Sequence, residues 1–121
     1  MRVLLIYPEF PPSFWTLKQS CELLGRKTLM APLGLLTLAA LLPSDWEIRL
    51  VDLNTRPLTD NDWDWADMVL LSGMIVQRDA MLSLVRQAKD RGKPVAVGGP
   101  FATSVPQDFL AVGADFLVLG E

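Results

Sequence analysis

MVLLSGMIVQRDAMLSLVRQAKDRGKPVAVGG, residues 68–99, decides the fold. Met68 to Ser72 is a short apolar run of the kind that forms a buried strand. Met81, Leu84, Val85 and Ala88 then fall on one stripe of a helix over Asp79 to Arg91, while Arg86, Gln87, Lys89 and Asp90 face away. Gly92 followed by Pro94 stops that helix. Pro94 to Val97 is another apolar run, closed by Gly98-Gly99. Strand, helix and strand in this order predict two parallel strands joined by a crossover helix.

The same alternation extends to both ends. Val3 to Tyr7 is a continuous apolar run ended by Pro8, Glu47 to Leu53 alternates as a strand with one open side would, and Phe116 to Leu119 is closed by Gly120. Five strands with intervening helices predict an α/β, Rossmann-like, doubly wound parallel sheet of order 2-1-3-4-5 in three layers. Leu33 to Leu42 is a helix apolar on nearly every side, so a sheet on one face leaves the other needing a cover. A missing domain or partner would supply it; shielding by the long segment before it is the plain alternative. Within residues 8–32, Phe14, Leu17, Cys21 and Leu24 fall at helical spacing after Ser13 and predict an extra helix. Thr59 and Asp62 have capping spacing and predict one short turn. Thr103 or Ser104 would cap a last helix, with Pro106 in its first turn and Gly113 at its end.

Composition narrows the chemistry. Length suits a single domain of 121 residues with one core. With 50% hydrophobic and 21% charged residues the chain is globular, and a net charge of -3 without a Lys/Arg cluster argues against nucleic acid. Cys21 is the sole cysteine and there is no histidine, so this chain offers neither a disulfide framework nor a cysteine or imidazole metal site. No secretory leader is read at Met1, and the uncharged stretch Thr28 to Ser44 is broken by Pro32 before the roughly 20 residues a membrane span needs. The expectation is a soluble cytoplasmic protein, with a membrane-surface association of a longer parent left open.

In such sheets ligands sit beyond the carboxyl ends of the strands. The loops there begin at Pro8, Ser72 and Gly98, with Gly120 at the margin. After the first strand stands Pro8-Glu9-Phe10-Pro11-Pro12, without the glycines a dinucleotide site requires. Asp52 then reads as a strand-end or capping carboxylate. A phosphoacceptor site is equally poorly matched, because Glu9 stands alone and the third strand ends in Ser72. Ser72-Gly73-Met74-Ile75-Val76-Gln77 and Gly98-Gly99-Pro100-Phe101 combine a small hydroxyl, close backbone approach and an apolar floor. That suits a flat, largely apolar ligand. Ordinary turn chemistry explains each loop taken alone. Trp63, Trp65, Trp15 and Phe14 read as packing residues and Cys21 as a small buried one. Glu9 is either a ligand contact or a solvated carboxylate, and Arg78 and Asp79 either follow the site or begin a helix.

Ser72-Gly73-Met74 and Gly98-Gly99 resemble the Ser-x-Leu and Gly-Gly motifs of cobalamin-binding domains of the methionine-synthase type, with Met in place of Leu. That family carries Asp-x-His-x-x-Gly after its first strand, where this chain has Pro8-Glu9-Phe10. The resemblance therefore implies cobalamin held without a histidine lower ligand, as in the radical SAM branch. Pro32-Leu33-Gly34-Leu35-Leu36, Val51-Asp52-Leu53-Asn54, Gly98-Gly99-Pro100 and Gly120-Glu121 are similar to that branch. Tyr7-Pro8-x-Phe10-Pro11-x-Ser13-Phe14-Trp15, Trp65-Ala66-Asp67 and Met74-Ile75-Val76-Gln77-Arg78-Asp79 resemble the subgroup that includes hopanoid C-methylases.

What the resemblance implies is a cobalamin-binding module over residues 1–121, followed by a radical SAM domain. That domain would bear a Cys-x-x-x-Cys-x-x-Cys motif, a four-iron four-sulfur cluster and S-adenosylmethionine. The parent would be a methyltransferase acting on an unactivated carbon, with no catalytic residue in the present segment. Cofactor contacts are expected at Pro8, Phe10, Leu33, Ser72, Gly73, Met74, Ile75, Val76, Gln77, Gly98, Gly99, Pro100, Phe101 and Gly120. The cofactor's nucleotide tail would lie along the Ser72 and Gly98 loops, and Phe10, Leu33 and Met74 to Gln77 would line the lower corrin face. The alternative is a stand-alone ligand-binding or interaction domain of flavodoxin-like fold without cobalamin. The ending at Gly120-Glu121, with no terminal helix, favours the module.

Overall fold

A computed structural model describes residues 1–12, 18–25 and 31–120. Five parallel strands, β1 (Arg2–Tyr7), β2 (Glu47–Asp52), β3 (Met68–Ser72), β4 (Val95–Gly98) and β5 (Phe116–Leu117), form one sheet of order β2-β1-β3-β4-β5. This is the doubly wound α/β fold expected from the alternation of strands and helices. The described helices are α1 (Lys18–Leu23), α2 (Leu33–Leu41), α3 (Asp60–Trp65), α4 (Arg78–Asp90), α5 (Pro100–Ser104) and α6 (Pro106–Ala111).

β1 sits inside the sheet and is buried on both faces, which is why its sequence is continuously apolar. Leu4 and Ile6 join a cluster with Trp63 of α3, Met81, Leu84 and Val85 of α4, Phe101 of α5 and Phe109 of α6. Val3 and Leu5 point the other way, into a smaller cluster with Leu35 and Ala39 of α2, Leu70 and Ala96. α4 buries the stripe read from sequence, Met81, Leu84, Val85 and Ala88, together with Leu82. Helix α2 behaves as its all-round apolar sequence demands. Leu35 is buried, whereas Leu33 and Leu41 are 70% and 78% exposed.

The extra helix expected within residues 8–32 is present as α1, with Cys21 buried in it; Leu24 lies beyond its end and is exposed. Phe14, Trp15 and Leu17 fall outside the described residues. β5 stops at Leu117, two residues short of Leu119, since pairing ends with the Val118 amide on the Val97 carbonyl. Thr103 and Ser104 do not cap α6. They belong to α5, a helical turn missed in the sequence, and α6 instead starts after Val105 with Pro106 in its first turn.

The short turn at 59–62 is a full capping box. The Thr59 side chain accepts from the Asp62 amide, and the Asp62 side chain accepts from the Thr59 amide. Asp62 is 3% exposed, and it also receives Arg49 of β2 and Arg56. Arg56 is the main reason its carboxyl is held well below the usual carboxylate range, opposed by burial and helped by Thr59 and Arg49. Trp63 is buried beneath the Arg91 guanidinium, and Trp65 lies under that of Arg49.

Candidate functional site

All five strands end at the same edge of the sheet, and hydrogen bonds tie their following loops together. The Phe10 amide donates to Oδ1 of Asn54, and Nδ2 of Asn54 donates to the Pro8 carbonyl, joining the β1 and β2 loops. Asn54 is itself held by Oδ1 of Asp52, which accepts both its amide and its side-chain Nδ2. Asp52 is thus a strand-end carboxylate that organises a turn. Nε2 of Gln77 donates to the same Pro8 carbonyl at 2.7 Å, while its Oε1 accepts from the Met74 amide at 2.8 Å. That joins the β1 and β3 loops. The Phe101 amide donates to the Gly73 carbonyl, joining β3 to β4. Finally Oγ1 of Thr103 donates to the Gly99 carbonyl and accepts from the Gly120 amide, joining β4 to β5.

The glycines occupy the middle of this rim. Ser72 and Gly98 are partners in the β3–β4 register. Gly99 has φ 91 and ψ -174, a backbone region open essentially to glycine alone. A Cβ on Gly99 would run into Oγ of Ser72. A Cβ on Gly73 would meet Oε1 of Gln77 at 2.7 Å and Sδ of Met81 at 2.8 Å. The sequence therefore uses glycine where two loops approach side chain to backbone. Around this cradle Met74, Ile75 and Val76 form an exposed apolar turn, each about half accessible. Leu33 lies exposed at the start of α2, and Phe10 is half-buried with its ring edge against Tyr7. The Tyr7 hydroxyl is raised above its ordinary pKa, first by burial and then by the Asp52 charge, with Gln77 opposing.

Several residues singled out in the sequence thus meet at one edge: Pro8, Phe10, Ser72 to Val76, Gly98, Gly99, Pro100 and Gly120. Gln77 and Phe101 meet them from beneath. Both are 1% exposed, so their side chains support the loops rather than face outward. Gln77→Leu removes the donor to Pro8 and the acceptor for Met74. It is expected to lower stability by about 1–3 kcal/mol, read as a shift in the urea midpoint. Glu9 is exposed, and Arg78 begins α4 and pairs with Asp108. Asn54 and Thr103 carry the rim but were not among the candidate residues; Asn54 did stand in the Val51-Asp52-Leu53-Asn54 string. An open cleft of about 480 Å³ adjoins the β2 end of the rim, between Glu9, Asn54, Arg56, Leu58, Leu84 and Gln87, and none of the cradle glycines lines it.

Among the described residues no cluster of three His, Cys, Asp or Glu side chains could hold a metal ion, and no helix is long and apolar enough to cross a membrane. An uncharacterised methyltransferase of Synechocystis sp. is 59% identical to this chain over 121 residues, covering 100% of the chain and 23% of that protein. The hopanoid C-2 methylase of Rhodopseudomonas palustris is 42% identical over 121 residues, covering 99% of the chain and again 23% of that protein. The chain therefore spans about a quarter of the length of these relatives. The family profile described as B12 binding domain matches residues 23–121, the stretch that carries β2 to β5 and both glycine loops. The chain belongs to the B12-binding domain family.

Proposed function

We propose that this domain holds cobalamin at the carboxyl edge of its sheet and serves as the cofactor-positioning part of a larger cytoplasmic radical SAM methyltransferase. The observation that carries this reading is the cradle at Gly99, where a glycine-only backbone lies against Ser72. This close approach sets the Ser72 hydroxyl beside the bare Gly99 backbone, so that a chain-like ligand group could lie along two loops at once. Ser72 offers a hydroxyl, Gly73, Gly98 and Gly99 offer close backbone, and Pro100 and Gly120 flank them. Met74, Ile75 and Val76, with Leu33 and Phe10, offer an apolar floor to a macrocycle. Gln77 and Phe101 fix the loops from below.

Cobalamin, when bound, supplies a cobalt that carries and releases a methyl group. This chain's own contribution is to orient it. This segment has no histidine to offer cobalt, so the residues it would set against the lower corrin face are the apolar Phe10, Leu33 and Met74 to Val76. The names of the relatives, a methyltransferase and a hopanoid methylase, support methyl transfer to carbon as the parent reaction. The radical SAM partner domain, with its four-iron four-sulfur cluster and S-adenosylmethionine, is inferred from the motif strings shared with that branch.

The experiment is a titration with hydroxocobalamin, followed by calorimetry and by visible absorption. Saturable binding is expected, with a bound spectrum that shows no nitrogen base on cobalt. Absence of binding by both the domain and its full-length protein would overturn the proposal, and a nitrogen-ligated spectrum would overturn the histidine-free mode.

A further inference from the structure

Among the described residues the two faces of the sheet are unequally covered. α3 to α6 bury side chains in the larger cluster, whereas α2 is the one described helix whose buried residues join the smaller one. A helix is about 10 Å across, and five strands about 4.8 Å apart span about 19 Å, so one helix covers roughly half of such a face. Both flanks bear this out. Phe116 lies on that side, in register with Ala96, and is 57% exposed. At the opposite edge Ile48, in register with Val3, is 36% exposed. Between them α2 turns Leu36 and Leu41 outward, and no charged residue occurs from Thr28 to Ser44. Ordinary solvent-facing helices carry charge, as α4 does with Arg86 and Asp90. An uncharged helix with exposed leucines, flanked by exposed apolar residues on both edge strands of the same face, is the pattern of an interface.

We propose that the α2 side of the sheet, framed by Leu36, Leu41, Ile48 and Phe116, is an internal interface that packs against the remaining part of the native polypeptide. The surface is distinct from the glycine rim, and the inference does not depend on cobalamin. Its occupant is argued from length, because this domain spans 23% of each relative and the rest is tethered to it. A tethered segment acts at an effective concentration in the millimolar range, which outcompetes a second copy in dilute solution.

The test uses the full-length protein with Leu41→Cys, Phe116→Cys and, as control on the outward side of α4, Ser83→Cys. Each is labelled with a maleimide, and modification is read by peptide mass spectrometry so that other cysteines are scored separately. Labelling at positions 41 and 116 is expected to be about tenfold or more slower than at 83, unchanged on dilution. Hydrogen exchange of the wild-type protein, which needs no substitution, should show matching protection in α2. Equal labelling rates, protection that fades on dilution, or protection that requires phospholipid vesicles would each overturn the proposal; the last two would assign the face to a second copy or a membrane. Repeating the labelling with hydroxocobalamin present separates this result from the cofactor reading, since either can fail while the other stands.

Discussion

Replacing Gly99 by tryptophan is expected to abolish cobalamin binding, a loss of more than about 100-fold in affinity. The cause is local. Gly99 stands at φ 91 and ψ -174, where any side chain is strained, and its missing Cβ is the space that Oγ of Ser72 already abuts. Gly99→Ala is the sharper test. It adds one carbon, costs the domain about 1–3 kcal/mol in backbone strain, and must displace Ser72 as well. Its affinity for hydroxocobalamin should fall about tenfold or more while the circular dichroism spectrum is retained. Gly34→Ala is the matched control, because a Cβ there meets nothing within 4 Å and the residue lies in α2 with no positive φ. It should leave affinity unchanged and raise stability slightly. Binding by Gly99→Trp as tight as wild type would remove the cradle from the site.

Asp62→Asn is expected to lower stability by about 2–3 kcal/mol, below the usual cost of breaking a fully buried pair because Arg49 and Arg56 are partly exposed. The carboxylate accepts from Arg49, twice from Arg56, and from the amide and hydroxyl of Thr59. An amide of the same shape turns an NH2 group toward donors. Because the folded-state pKa of Asp62 is depressed, its contribution is complete above the ordinary carboxylate value of about 3.9. It declines as pH falls below that value toward the lower folded-state one. Urea unfolding of wild type and variant should therefore differ fully at pH 7, and the gap should narrow below pH about 3.5. A gap that stays constant into acid would mean that the charge is not what holds α3 to β2.

Much of the fold was legible because its signals are local. The apolar run at Val3–Tyr7, the α4 stripe and the Thr59/Asp62 spacing each require only neighbouring residues to be recognised, and each stands in the structure. α5 was missed because Pro100–Ser104 is five residues long and has no side-chain cap. The assignment of Thr103 to a cap failed for a related reason, since its hydroxyl serves a carbonyl and an amide that the sequence does not reveal as neighbours. At the site, glycines and small residues could be read as places of close approach. Which side chains face outward could not. Gln77 and Val76 are adjacent and both follow the third strand, yet one is buried and hydrogen-bonded and the other is half exposed. Only the folded position of Pro8, 69 residues earlier, decides between them.

That separation bears on how the protein comes to be. The bonds that join the rim span 46 residues from Asn54 to Pro8, 69 from Gln77 to Pro8 and 17 from Gly120 to Thr103. Contacts so distant along the chain close late, after the strands that carry them have paired. During synthesis, when Gly73 emerges from the ribosome, Gly99 and Thr103 have yet to emerge and complete the cradle. The ligand edge is therefore a property of the finished sheet, and cofactor loading belongs to the period after β4 and β5 have joined it.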